Sequence, residues 1–414
     1  MIATLLALTL IRGFDVDLRV DRAAKTVRGI ERIETSPGGD PLRLPLKNQS
    51  IDRVSCGDEP ATIAREGSML IVDPCAAGSV TIRYSVLEPK GITFTPSIAY
   101  TSFDSCTWMI CDDDPSLRAP ISMTLHAPAG EWTLAGGTLQ SVTSETDGTR
   151  TFRWYDELSR SAYLYGFAIG KLRSASTVQN DAAVTVTSAD VSQGELVAAL
   201  GHSEGMVRFF EKVAGRSLPH HRYAQLIVRG SAAQEKSTFS ILGTDELAAL
   251  AGDRSEDWVI AHEMAHQFWG NSVTPKSWTE MWLSEGVVTF MTAAWKEHRW
   301  GRSAYDREMS LAQRRVKAAV DAGYDKPLAW RGDYPSLRIR RAIAYSRGAL
   351  FMDALRQRLG EAVFWRALKT YTITFAGKSV TSDDFQRVFE RAAGEDLEPF
   401  FRKWVFGDSA ENSE

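Results

Sequence analysis

His262-Glu263-Met264-Ala265-His266, with Glu285 further along, is the stretch that decides how this chain reads. On a helix, residues four apart stand one above the other on the same face, so His262 and His266 can present their rings to a common metal ion. Glu263 is turned about a quarter turn away from that face. It therefore reaches a metal-bound water without being a ligand. Two imidazoles and the carboxylate of Glu285 make three protein ligands for one zinc ion, leaving a fourth position for water, the layout of a catalytic site.

The flanks support two helices. Asp253 and Glu256 offer a capping-box start, the apolar face runs through Trp258, Val259 and Ile260, and Gly270 and Asn271 supply a stop. A second helical pattern runs from about Met281 to Trp300 and carries Glu285.

The run HEMAHQFWGNSVTPKSWTEMWLSEGVVTF, residues 262–290, resembles the aminopeptidase N and leukotriene hydrolase family of zinc metallopeptidases, gluzincins in which eighteen residues separate HExxH from the liganding Glu; here residues 267–284 fill that interval. Upstream, FDVDLRVDRAAKTVRG (14–29) is similar to the family's opening strand, and CDDDPSLRAPISMTLHAP (111–128) to a motif near the end of its first domain. Downstream, AYSRGALFMDALRQRLG (344–360) is similar to the segment with the catalytic tyrosine, which makes that residue Tyr345. GEDLEPFFRKWVFG (394–407) resembles the end of the family's catalytic domain.

One motif departs. Where the family has Gly-x-Met-Glu-Asn, with the Glu binding the substrate's free amino terminus, this chain has Ala232-Ala233-Gln234-Glu235-Lys236. The resemblance implies Glu235 as the amine-binding carboxylate. Gly, Met and Asn are lost, and Lys236 puts a cation beside it that holds Glu235 ionised yet opposes a bound ammonium. Asp104 lies near where relatives offer a second amine-binding acid.

Texture along the chain changes once. Up to about residue 188, short runs such as SVTIRYSVL and TRTFRWYDEL alternate with Gly, Asp, Ser and Pro clusters, as in an antiparallel β domain. From 189 to 407 helical spacing dominates, interrupted by a strand pair around YAQLIVRG and STFSILG. The expected fold class is α+β: an N-terminal antiparallel β domain (1–188), then a mostly helical catalytic domain (189–407) that the resemblance makes thermolysin-like, with Glu235 on the sheet edge lining a cleft, and a polar tail (408–414). Longer members of the family carry further domains, so the resemblance also implies a more open cleft here, unless another subunit covers it.

The 414 residues, 44% hydrophobic and 24% charged, are those of a soluble globular protein of two domains. A formal net charge of −4, with both signs mixed along the chain, leaves no footprint for nucleic acid or an anionic membrane. MIATLLALTLI is too short to span a bilayer; residues 1–12 read equally as a signal remnant or as the start of a first strand. Cys56, Cys75, Cys106 and Cys111 all fall in the first domain. Cys56 and Cys75 flank a hairpin and Cys106 and Cys111 a short loop, although three pairings exist on paper. Two disulfides and a periplasmic or secreted location are the expectation, with four cytoplasmic thiols as the alternative.

Four tryptophans, Trp269, Trp278, Trp282 and Trp295, surround the metal helices and read as core. Arg338, Arg340 and Arg341 read as a solvated basic loop. Three functions are to be distinguished: a zinc aminopeptidase acting on peptides, a related zinc peptidase without the free-amine requirement, and a silent peptide-binding module. Intact Glu263 and Tyr345 favour the first two, since a binder needs neither.

Overall fold

The computed structural model describes residues 10–36 and 39–407. Residues 1–9 of the apolar N-terminal run and the tail 408–414 lie outside the described residues.

The N-terminal half is built on an eight-stranded sheet. In spatial order its strands are Thr138–Ser144, Arg150–Ser161, Arg118–Ala127, Ile11–Asp21, Thr26–Thr35, Ser79–Leu87, Ser50–Cys56 and Glu59–Pro60. Alternation makes it one-faced: Phe14, Val16 and Leu18 are buried while Asp15 and Asp17 are half-exposed. The expected antiparallel pairing holds except at one place. Ile11–Asp21 runs parallel to Arg118–Ala127, Val16 facing Met123, because about a hundred residues of intervening structure supply the crossover that a hairpin cannot. The expected hairpin is present as Ile63–Glu66 paired with Met69–Val72, and the disulfides are Cys56–Cys75 and Cys106–Cys111.

The boundary near 188 needs correcting. Strands Arg173–Gln179 and Ala182–Ser188 belong to the five-stranded sheet of the second half, whose order continues Arg222–Val228, Phe239–Gly243 and Ala233–Lys236. The change of sheet therefore falls between Gly170 and Arg173. A hairpin has the same local texture whichever sheet it joins, so composition misplaced it.

This second sheet is buried on both faces. Ala224, Leu226, Val228, Phe239 and Ile241 pack into the core of the N-terminal half. Tyr223, Ile227 and Leu242 point the other way into the helical core. The two halves thus share a continuous apolar contact, which fixes their relative position. Ala233–Lys236, carrying Glu235, is the edge strand of the sheet. No described helix is long and apolar enough to cross a membrane.

Candidate active site and metal centre

The histidine helix spans Trp258–Ala265 and is buried from Val259 onward. Such all-round burial marks a helix running through a core. Its start differs from the expectation. Asp257 flanks it, and Asp253 instead accepts from the Ser255 backbone N–H at 2.8 Å in a local turn. Asp257 accepts the indole N–H groups of Trp295 (2.8 Å) and Trp300 (3.1 Å), a tertiary use of a residue type that caps helices locally. At the other end Gly270, at φ 116°, turns the chain beneath the histidines; a Cβ there would stand 2.8 Å from Nδ1 of His266.

Glu285 lies in the first turn of the helix Trp282–Trp300. The fold brings it against both histidines: Nε2 of His262 and Nε2 of His266 are 3.2 Å apart, and Oε2 of Glu285 is 3.3 Å from the first and 3.4 Å from the second. A tetrahedral zinc with bonds of about 2.0–2.1 Å has ligand atoms about 3.3–3.4 Å apart. The three atoms therefore form one face of such a tetrahedron. Oε2 of Glu285 is enclosed, and among the described residues no donor meets it in good hydrogen-bond geometry, as suits an atom directed at a cation. His266 turns its Nδ1 to the Trp269 carbonyl at 3.2 Å, which orients the ring and leaves Nε2 as the ligating nitrogen.

Two further carboxylates face the same space. Ligand atoms of Glu235, Glu263 and His266 all lie within 4.8 Å of one another. Burial pushes Glu263 well above the usual carboxylate range, opposed by His266 and reinforced by Glu235 and Glu285. Glu235 is also raised, by burial first, with His266 opposing and Glu285 adding to the shift. Three acidic side chains in one enclosed pocket call for a compensating cation, so the donor set fits zinc in chemistry as well as spacing.

Tyr345 completes this side of the pocket. It sits in a π-helical stretch, Arg341–Arg347, a geometry that concentrates at functional sites. Its ring lies parallel to that of His262, 6.1 Å between centroids and 3° between planes. Burial, then Glu285 and Glu235, push its phenol well up, so it keeps its proton as a donor.

The eroded motif resolves by strand alternation. Glu235 faces the metal pocket, whereas Gln234 and Lys236 face the N-terminal half. Gln234 accepts the Phe103 N–H at 2.8 Å. The Lys236 ammonium donates to the carbonyls of Tyr163 (2.9 Å) and Tyr165 (3.3 Å). Burial lowers Lys236 to about 8, with Glu235 and Asp104 opposing that shift. The cation expected to oppose a substrate ammonium is thus spent on backbone carbonyls across the domain junction. The Lys236 carbonyl in turn accepts from Gln267 (3.1 Å) and Asn271 (2.9 Å), which locks the edge strand to the histidine segment.

Asp104 is not drawn into this cluster among the described contacts. It pairs with Lys90 at 3.1 Å, its side chain 42% exposed. Trp269, Trp282 and Trp295 are core as expected, but Trp278 is 43% exposed and packs on Tyr163 at 5.3 Å. Arg338 and Arg341 are exposed and Arg340 half-buried, as expected of solvated arginines, but they lie in the helix Leu337–Arg340 and the π-helical stretch that follows it, not in a loop. Tyr163 escaped the sequence reading, since nothing in SAYLYGF, a β-rich turn, carries a chemical spacing.

The site holds the donor set that a gluzincin-type zinc centre requires. Residues 233–404 match the peptidase family M1 domain. Aminopeptidase N of Lactococcus lactis is 24% identical over 429 residues, covering 95% of this chain and 50% of that protein. A probable aminopeptidase 1 of Saccharolobus solfataricus is 20% identical, covering 94% of this chain and 52% of its own. The chain thus spans about half the length of these curated relatives. The crystal structure of an M1 zinc metallopeptidase from Deinococcus radiodurans shares the fold over its length, with a TM-score of 0.79, 21% identity, and coverage of 97% of this chain and 94% of that one. A mutant two-domain M1 zinc metallopeptidase bound to L-tryptophan gives a TM-score of 0.80 at 22% identity, with 98% and 96% coverage.

Proposed function

We propose that this protein is a zinc aminopeptidase that removes residues from the amino termini of peptides. The observation that carries the reading is the triangle of His262, His266 and Glu285 atoms at 3.2–3.4 Å, with the Glu235 carboxylate beside it. One zinc ion held by these three residues would supply Lewis acidity and would lower the pKa of a bound water to about 7. Glu263 takes a proton from the attacking water and returns it to the leaving amine. Its raised pKa suits that shuttle, because a base of ordinary carboxylate strength holds a proton poorly. The Tyr345 hydroxyl donates to the oxyanion developing on the scissile carbonyl. Glu235 receives the substrate's α-ammonium and so measures one residue from the chain end.

The inward turn of Glu235 and the outward turn of Lys236 favour this reading over cleavage without a free amine. The M1 domain match and the aminopeptidase relatives point the same way. Hydrolysis of free and N-acetylated forms of the same peptides, by wild type and by Glu263→Gln, tests it. Cleavage of free peptides far faster than of blocked ones, abolished by the substitution while stoichiometric zinc is retained, is expected. Equal cleavage of blocked peptides would turn the assignment to an endopeptidase-like enzyme, and no cleavage by zinc-loaded wild type to a binding module. The two disulfides support a periplasmic or secreted location; thiol alkylation of protein from its native host, finding four free cysteines, would reverse that.

A further inference from the structure

Tyr163 stands in the short helical turn Ala162–Leu164, between the two halves of the protein. Its backbone is tied down from several directions. Lys236 donates to its carbonyl at 2.9 Å, Ser105 to the same oxygen at 3.3 Å, and the Ser237 N–H to the Leu164 carbonyl at 2.9 Å. The ring rests on Trp278, in the turn that leads into the Glu285 helix. Tyr163 is therefore wedged between the strand of Glu235 and the helix of Glu285. Its hydroxyl oxygen is enclosed yet has no hydrogen-bond partner among the described residues. Buried hydroxyls are seldom left so, because desolvation without a bond is costly. Burial, then the charges of Glu235 and Glu285, raise the phenol well above its ordinary value, with the more weakly acting Arg118 opposing them. It is a neutral hydroxyl in a negative field, which favours a cation at its lone pairs over an anion.

We infer that the Tyr163 hydroxyl is a second acceptor for the substrate's α-ammonium, beside Glu235. This rests on the aminopeptidase reading and deepens it. An ammonium carries three N–H donors, more than one carboxylate satisfies in a single direction. Asp104, the other acid offered by the sequence, is committed to Lys90 near the surface, whereas Tyr163 is enclosed beside the pocket and unpaired. Lys236 then has a purpose in this chain: it holds the Tyr163 turn at a fixed distance from its own neighbour, Glu235.

The test measures, by calorimetry on the zinc-loaded enzyme, the Kd of L-leucinamide and of its des-amino analogue 4-methylpentanamide, for wild type and Tyr163→Phe. Phenylalanine keeps the ring against Trp278 and removes only the oxygen. Leucinamide should bind roughly tenfold more weakly to the variant, as for loss of one bond to a charged group, with the analogue unaffected and KM for free peptides rising more than kcat falls. Unchanged leucinamide binding overturns the inference, and so does equal weakening of both ligands, which would mark a packing role. Wild type that binds both ligands equally would instead defeat the aminopeptidase reading itself, so the two failures are distinguishable.

Discussion

Gly286 and Gly348 meet across two packed helices with no room for a side chain: a Cβ on Gly286 would stand 2.7 Å from the Cα of Gly348, and one on Gly348 2.6 Å from the Cα of Gly286. Gly286 follows Glu285, and Gly348 lies three residues after Tyr345. Their contact is what lets the Tyr345 stretch settle over the metal pocket. Alanine at either position forces the helices apart, and a displacement of about 1 Å at a reacting group costs as much as a hundredfold in rate. Gly348→Ala should lower kcat far more than it raises KM, with zinc content intact; steady-state kinetics and elemental analysis check it.

Tyr345→Phe removes one donor and leaves the ring parallel to His262. kcat should fall by about 10²–10³, with KM little changed, as for other lost oxyanion donors. A loss of KM alone would place the tyrosine in ground-state binding instead.

Glu235→Ala should raise KM for free peptides strongly and leave the weak turnover of N-blocked ones as it was. A parallel loss on both substrates would mean that Glu235 serves the zinc environment, where it lies close to Glu263 and His266, and not the amine.

Glu31 offers a pH-dependent signature far from the metal. Burial raises it from 4.5 to about 8, partly opposed by hydrogen bonds from Ile110 N–H and Tyr84. The folded state therefore keeps a proton that the unfolded chain releases. Its contribution to stability is complete below about 4.5 and is lost as pH climbs through about 8. Thermal midpoints of wild type should fall across that window relative to Glu31→Gln; parallel curves would refute the assignment.

The Cys56–Cys75 bond closes a loop with a sequence separation of 19. Replacing both cysteines by serine should cost about 3 kcal/mol by chain-entropy reasoning, seen as a lower urea midpoint with unchanged kcat, since the loop is remote from the pocket.

Much of the site was legible before any fold was known. His262, Glu263 and His266 sit within one turn and a half of a single helix, so local periodicity places them together; that Glu285, on the next helix, joins them is what the family resemblance implied. The hairpin around Gly67 and the two cysteine pairs were equally local. Periodicity failed where partners are distant. It assigned Arg173–Gln179 and Ala182–Ser188 to the wrong half, and Asp253 to a cap it does not make.

The chain's own order of residues, then, set out the donor types proposed for the metal site, because ligand type and helical spacing are properties of a few neighbouring positions. The packing of one half on the other settled which way Lys236 points, what covers Glu235, where Tyr163 stands and how closely the Tyr345 stretch approaches. Those depend on strand partnership and helix contact between residues tens to hundreds apart, energies that no local pattern encodes.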